Sequence, residues 1–138
     1  MEKGYIKIVI EDGKAPSVEA QLVNNTVWMA KWEIARLFHC FNQKIETNLR
    51  SIFKNHLLWE KDVSRTYRYT DDKGNERQIV YYNLDVLIFL SYRIASFEAI
   101  IFREWVNQAL REHLQNEEMR KINQWVWTLH PDKFYPLQ

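Results

Sequence analysis

Residues 31–50 read Lys31-Trp32-Glu33-Ile34-Ala35-Arg36-Leu37-Phe38-His39-Cys40-Phe41-Asn42-Gln43-Lys44-Ile45-Glu46-Thr47-Asn48-Leu49-Arg50. Apolar side chains recur first as Trp32, Ile34, Ala35, Leu37 and Phe38, then as Ile45, Leu49, Ile52 and Phe53, with the three- and four-residue spacing of one helix face. Between the two runs lies a short break at His39-Cys40-Phe41, with Asn42 placed to cap the second helix. The spacing predicts a helix-turn-helix over about residues 31–54. Ala35 is small where the helices approach, Ile34 and Phe38 point into the junction, Cys40 plugs the turn, and Ile45 and Leu49 anchor the second helix from behind.

That arrangement leaves Asn42, Gln43, Lys44, Glu46, Thr47 and Arg50 facing outward, with Lys54 one turn further on. Amides and guanidinium groups are the side chains that read base edges in a major groove, and a recognition helix uses its N-terminal residues to do so. Glu46 opposes phosphate, although a carboxylate also accepts from cytosine.

Outward from this centre the period changes. Ile6, Ile8 and Ile10 alternate up to a break at Asp12-Gly13, and Val18, Ala20 and Leu22 alternate after Pro16. Asn24-Asn25, two residues that tolerate positive φ, reads as a tight hairpin turn before Thr26-Val27-Trp28. Strand character returns at 63–69 and 77–82 around Asp71-Asp72-Lys73-Gly74-Asn75, a hairpin in which Gly74 or Asn75 supplies positive φ. This hairpin sits where a wing would, with Arg65 and Arg68 near the end of its first strand and Lys73 and Arg77 flanking its turn, as cations that contact phosphate. Asn83 caps a helix from Leu84 to about Ile94, and Ser96 caps another from Phe97 to about Leu114, with Phe97, Ile101, Phe102, Trp105, Val106 and Ala109 as its apolar sector. A tail carrying Met119, Ile122, Trp125, Val126, Trp127 and Leu129 is a further helix, ended by Pro131 and Pro136.

The fold class expected is α+β: a winged helix-turn-helix-like core with an N-terminal β-hairpin, a hairpin wing at 63–82 and C-terminal helices. Residues 1–115 form the winged domain, and 116–138 a Trp-rich helical extension packed on it or on a partner.

The composition narrows the function. The chain has 138 residues, 46% of them hydrophobic, enough for a folded core. One cysteine precludes an internal disulfide, which fits a reducing compartment. The N-terminal apolar run is too short and too charged for a signal peptide, and the longest apolar stretch, Leu84 to Ser91, is far shorter than a membrane span, so the expected location is cytoplasmic. The net charge is +1, but residues 31–82 carry ten Lys or Arg against seven Asp or Glu. The four histidines do not cluster and Cys40 has no thiol partner, so no metal site is expected. No nucleophile motif and no glycine-rich phosphate loop appear among only three glycines, so neither an enzyme nor a cofactor is expected. Arg93, Arg103 and Trp105 form a second candidate cluster, read either as a phosphate or partner contact or as salt bridges to Asp85 or Glu104 beside a core Trp. Trp125 and Trp127 either fold back or anchor a partner.

The residues also resemble a family. Trp28-Met29-Ala30-Lys31-Trp32-Glu33-Ile34-Ala35-Arg36-Leu37-Phe38 resembles the opening motif of the RhuM family of bacterial proteins, described as virulence-associated or DNA-binding-like. Residues 42–53 resemble its second helix. Tyr81-Tyr82-Asn83-Leu84-Asp85-Val86-Leu87-Ile88, Ser91-Tyr92-Arg93-Ile94 and Phe102-Arg103-Glu104-Trp105-Val106 resemble its distinctive later stretches. The likeness spans about residues 18–115. It implies a winged-helix-like DNA-binding domain, loosely related to phage antirepressor N-terminal domains. His39 stands where the family's turn usually has Gly, and a Trp-rich tail stands in place of the further C-terminal region that family members often carry.

Two functions follow. One is a transcriptional-regulator type of protein binding double-stranded DNA, with a homodimer formed through the C-terminal helices. The alternative is a protein-protein interaction module of antirepressor type that captures another regulator and binds no DNA.

Overall fold

The computed structural model describes residues 2–129. The chain divides into two compact units, residues 1–104 and 105–138. The fold is α+β, with two small antiparallel sheets and helices.

The first unit opens with strands β1 (Tyr5–Val9) and β2 (Ser17–Gln21), paired antiparallel with Tyr5 opposite Gln21 and Val9 opposite Ser17. Of the alternating isoleucines only Ile6 is buried; Ile10 is exposed. Asn24 (φ 52°) and Asn25 (φ 65°) are both left-handed, and Val23 and Thr26 exchange backbone hydrogen bonds of 2.8 and 3.2 Å across them. Two successive positive φ values are what a tight primed turn demands, and Asn tolerates them.

Strand β3 (Met29–Ala30) leads directly into α1 (Lys31–Leu37), and the Ala30 N–H donates to Glu33 Oε1 at 3.0 Å. Helix α2 spans Asn42–Lys54. The residue flanking its start is Phe41, and Asn42 is its first helical residue, so the expected Asn42 cap is displaced by one position. Both helices end alike. The Cys40 N–H donates to Ala35 O (2.9 Å) and the His39 N–H to Arg36 O (3.3 Å). After α2, the Leu57 N–H donates to Ile52 O (3.0 Å) and the His56 N–H to Phe53 O (3.2 Å). These are two Schellman endings, each satisfying orphan carbonyls through one left-handed residue. That residue is His in both, His39 at φ 51° and His56 at φ 56°.

A single turn of helix, α3 (Glu60–Val63), precedes β4 (Ser64–Thr70) and β5 (Glu76–Tyr82). The strand expected from Val63 begins one residue later, at Ser64, and the helical turn before it was not foreseen from periodicity. Strand β5 is central in the order β3-β5-β4, with Met29 and Ser64 both opposite Tyr82. At the turn, Gly74 takes the positive φ (80°). Helix α4 (Leu84–Ser91) is capped by Asn83, whose side chain accepts from the Val86 N–H at 3.3 Å. Helix α5 (Phe97–Leu129) starts under Ser96, whose Oγ accepts from the Ala99 N–H at 3.1 Å.

Where two helices were expected from Phe97 onward, α5 is one, beginning in the first unit and continuing in the second. The polar run Gln115-Asn116-Glu117-Glu118 contains no Gly or Pro, and Glu117 pairs with Arg120 across i,i+3 at 2.7 Å, so nothing local interrupts it. The expected stop at Pro131 and Pro136 lies outside the described residues.

The core of the first unit joins Ile34, Ala35 and Phe38 of α1 and the turn after it, Ile45, Leu49 and Ile52 of α2, Val86, Leu87 and Leu90 of α4, and Ile101 and Phe102 of α5. Phe38 is fully buried and meets Phe102 edge-on at 5.4 Å. Trp32 and Phe97, expected on buried faces, are exposed; Arg36 lies over the Trp32 ring at 5.2 Å instead.

Truncating a fully buried Phe removes transfer energy and leaves a cavity, so Phe38→Ala is expected to cost about 3–5 kcal/mol of unfolding free energy in a denaturant melt. A left-handed conformation costs an L-residue roughly 1–2 kcal/mol, partly offset in Gly by about 0.5–1 kcal/mol of chain entropy. His39→Gly and His56→Gly are therefore expected to stabilise by up to about 1 kcal/mol each. His39→Val, β-branched, is expected to destabilise in the same measurement.

Candidate nucleic-acid interface

Burial of Ile45, Leu49 and Ile52 fixes the orientation of α2 and sends Asn42, Gln43, Lys44, Thr47, Arg50 and Lys54 to solvent. All six are exposed, so the structure places these expected residues on one accessible helix. Gln43 Nε2 donates to Thr47 Oγ1 at 3.3 Å, and Asn48 Nδ2 donates to the Lys44 carbonyl at 2.9 Å.

Glu46 differs from expectation. It is half-buried and pairs with Lys31 Nζ of α1 at 3.1 Å. The carboxylate that would repel phosphate is thus neutralised by a residue fifteen positions earlier, which α2's own pattern cannot reveal. Lys31 and Glu46 line a cleft of about 520 Å³ together with Arg50, Lys54, Glu60 and Tyr82. Burial first, then the nearby Glu60 and Glu46, pushes the Tyr82 hydroxyl above its ordinary pKa, so it stays a neutral hydrogen-bonding group at the cleft wall. The Tyr82 ring stacks on Phe53 at 6.2 Å.

Cys40 is half-buried in the turn. Burial pushes its thiol up, against the lowering effect of Lys44, so it remains a protonated, weakly polar filler.

The β4–β5 hairpin distributes its cations differently from the sequence expectation. Arg65 stands at the base of the hairpin, opposite Tyr81, with its guanidinium 4.4 Å from the Trp28 ring centre. Lys73 is exposed in the turn. Arg77 Nε donates to Asp71 Oδ2 at 3.0 Å, while Asp71 Oδ1 accepts from the backbone N–H groups of Lys73 (2.9 Å) and Asn75 (2.8 Å). Arg77 is therefore a strut of the turn as well as a surface cation. Alternation across the pleat puts Arg65, Tyr67 and Tyr69 on one face with Arg77 and Tyr81, and Arg68 on the other with Gln78. Tyr67 and Tyr69 stack at 6.1 Å, both exposed. Sequence reasoning passed over this pair, although their two-residue spacing on a strand was the available signal.

The second candidate cluster resolves into internal contacts. Arg93 donates to Ser51 Oγ at 3.2 and 3.3 Å, tying α4's end to α2. Arg103 donates to the Ser91 carbonyl at 2.9 Å and lies over the Tyr92 ring at 5.7 Å. These contacts, rather than the expected ion pairs with Asp85 or Glu104, occupy the two guanidinium groups. In the second unit Trp105 is half-buried, and Trp125 and Trp127 are exposed.

Residues 62–122 match the family model described as the Virulence protein RhuM family. Over this stretch the chain is similar to that family. The RhuM match takes in the β4–β5 hairpin, α4 and the first part of α5, whereas α2 precedes it. No curated protein and no solved structure matches the chain. Among the described residues, no helix is long and apolar enough to cross a membrane, and no group of three or more His, Cys, Asp or Glu side chains could hold a metal ion.

Two backbone hydrogen bonds and Arg77 hold the Asp71 carboxyl below the usual carboxylate range, the Asn75 N–H contributing most. A carboxylate depressed in the folded state contributes order that is present above its unfolded pKa and is lost as pH falls through the folded one. The Asp71 side-chain titration, followed by NMR, is expected to show a midpoint below that of an unperturbed Asp. Arg77→Ala is expected to move it upward, and the amide shifts of Lys73 and Asn75 are expected to follow the same midpoint.

Proposed function

We propose that this protein binds double-stranded DNA as a winged helix-turn-helix module. Helix α2 enters the major groove with Asn42, Gln43, Lys44 and Thr47 toward base edges, while Arg50 and Lys54 contact flanking phosphate. The β4–β5 hairpin is the wing, and Lys73, Arg68 and Arg77 reach the backbone. Arg65, held over Trp28, orients the base of the wing. The protein acts as a DNA-binding regulator with no catalytic step, no cofactor and no metal.

The observation that carries this reading is the exposure of Asn42, Gln43, Lys44, Thr47, Arg50 and Lys54 on α2, with the helix's single carboxylate, Glu46, already paired to Lys31. The mixed composition of amide, hydroxyl and cationic groups suits base reading as well as phosphate neutralisation. Similarity over residues 62–122 to a family described as virulence proteins fits a bacterial regulatory role.

A second reading has its own support. Phe41, at the start of α2, is 86% exposed, and Trp59 is exposed beside the α2 ending. Large aromatic side chains of this kind anchor protein partners, as an antirepressor-type module that captures a regulator would require.

Fluorescence anisotropy of a labelled duplex, titrated at several salt concentrations, separates the two. DNA binding predicts a log–log salt slope of about −0.9 for each phosphate contacted. The Lys44→Ala, Arg50→Ala double variant is expected to flatten that slope by about one contact, the phosphate held by Arg50, and to weaken binding at least tenfold. Unchanged binding by the double variant, or no binding at low salt, overturns the proposal and favours the protein-partner reading.

A further inference from the structure

The second unit consists, among its described residues, of a single helical stretch, α5 from Trp105 onward. Among those described residues there is no second element to cover apolar side chains. Yet Leu110, Leu114, Met119, Ile122, Trp125 and Trp127 are all exposed, Trp125 by 60%. Helices in proteins owe most of their stability to packing of an apolar face rather than to intrinsic propensity. Six large exposed hydrophobic residues on one helical stretch therefore call for a covering surface.

The pattern identifies its occupant. At about 100° per residue, Leu110, Leu114, Ile122 and Trp125 fall within roughly one third of the helix circumference, with Glu118 at the centre of the stripe. Glu117 and Arg120 are already engaged with one another at 2.7 Å, and Arg111 donates to Gln108, which in turn donates to Glu112. Arg111, whose hydrogen bond to the neutral Gln108 leaves its charge in place, Glu118 and Lys121 are the charges at the seam. A parallel, in-register copy would set Glu118 against Glu118. An antiparallel copy, with its two-fold axis between Met119 and Arg120, sets Glu118 against Lys121 twice and Leu114 against Trp125 twice. In an isologous interface residue i meets j and j meets i, so each favourable pair occurs in duplicate.

We propose that α5, from Leu110 to Trp127, is a homodimerisation surface that pairs antiparallel with a second copy of this chain. The proposal is independent of DNA binding. It stands on the exposed stripe and on the charge complementarity at its centre.

The test uses the full chain. Sedimentation equilibrium at micromolar concentration is expected to give twice the 16.8 kDa chain mass. The Leu114→Glu, Ile122→Glu variant is expected to give the monomer mass. Orientation is read separately, with a spin label at Gln108→Cys in a Cys40→Ser background and double electron–electron resonance. At a rise of 1.5 Å per residue, antiparallel pairing places the two labelled positions roughly 35 Å apart along the axis, whereas parallel in-register pairing places them about 10 Å apart. A dimer with the long distance supports the proposal. A monomer across the concentration range, a dimer indifferent to the Leu114 and Ile122 changes, or a dimer with the short distance overturns it. Of these, the monomer would assign the stripe to a different protein.

Discussion

The edge-on contact between Phe38 and Phe102 is the constraint on which the first unit depends. Phe38 closes α1 and is fully buried, and Phe102 belongs to the first turns of α5. Because the ring must stay inside, the chain has to reverse immediately after it, and His39 adopts the left-handed conformation that makes the reversal. That turn sets where α2 begins. Ile45 and Leu49 then dock from behind, and the polar side of α2 is left in water. The accessible face is thus a consequence of apolar packing on the opposite side.

Charge in this protein is managed locally. The net charge is +1, too small to produce a strong overall field. Two carboxylates near the exposed cations are already satisfied, Glu46 by Lys31 and Asp71 by Arg77 and two backbone N–H groups. Lys44, Arg50, Lys54, Arg68 and Lys73 remain on exposed positions of α2 and the hairpin. Pairing these two acids leaves the cations around them less opposed, in a chain that is nearly neutral overall.

Much of the architecture was legible because its signals are local. Asn24-Asn25 and Gly74 mark turns through positive φ, Asn83 and Ser96 mark caps through a side chain acting within four residues, and each acts where expected. The outward face of α2 was legible because the spacing of Ile45, Leu49 and Ile52 fixes it. The features that escaped depend on partners distant in the chain. Glu46 meets Lys31 only because α1 and α2 cross, and Arg65 finds Trp28 only because β3 and β4 flank β5. Arg77 was read as a free phosphate contact because the Asp71 turn that recruits it takes shape only in three dimensions. Helix α5 was divided at its polar middle because periodicity weakens there, although helix propensity does not.

The proposed DNA-contacting surface joins the exposed side of α2 to the β4–β5 hairpin. Two-dimensional 1H–15N NMR of the full chain, titrated with a short duplex, tests it most directly. The largest shift changes are expected at the amides of residues 42–50 and of the hairpin around Arg68 to Arg77, while β1 and β2 stay unmoved. Changes confined to other elements, or none at saturating duplex, would contradict it.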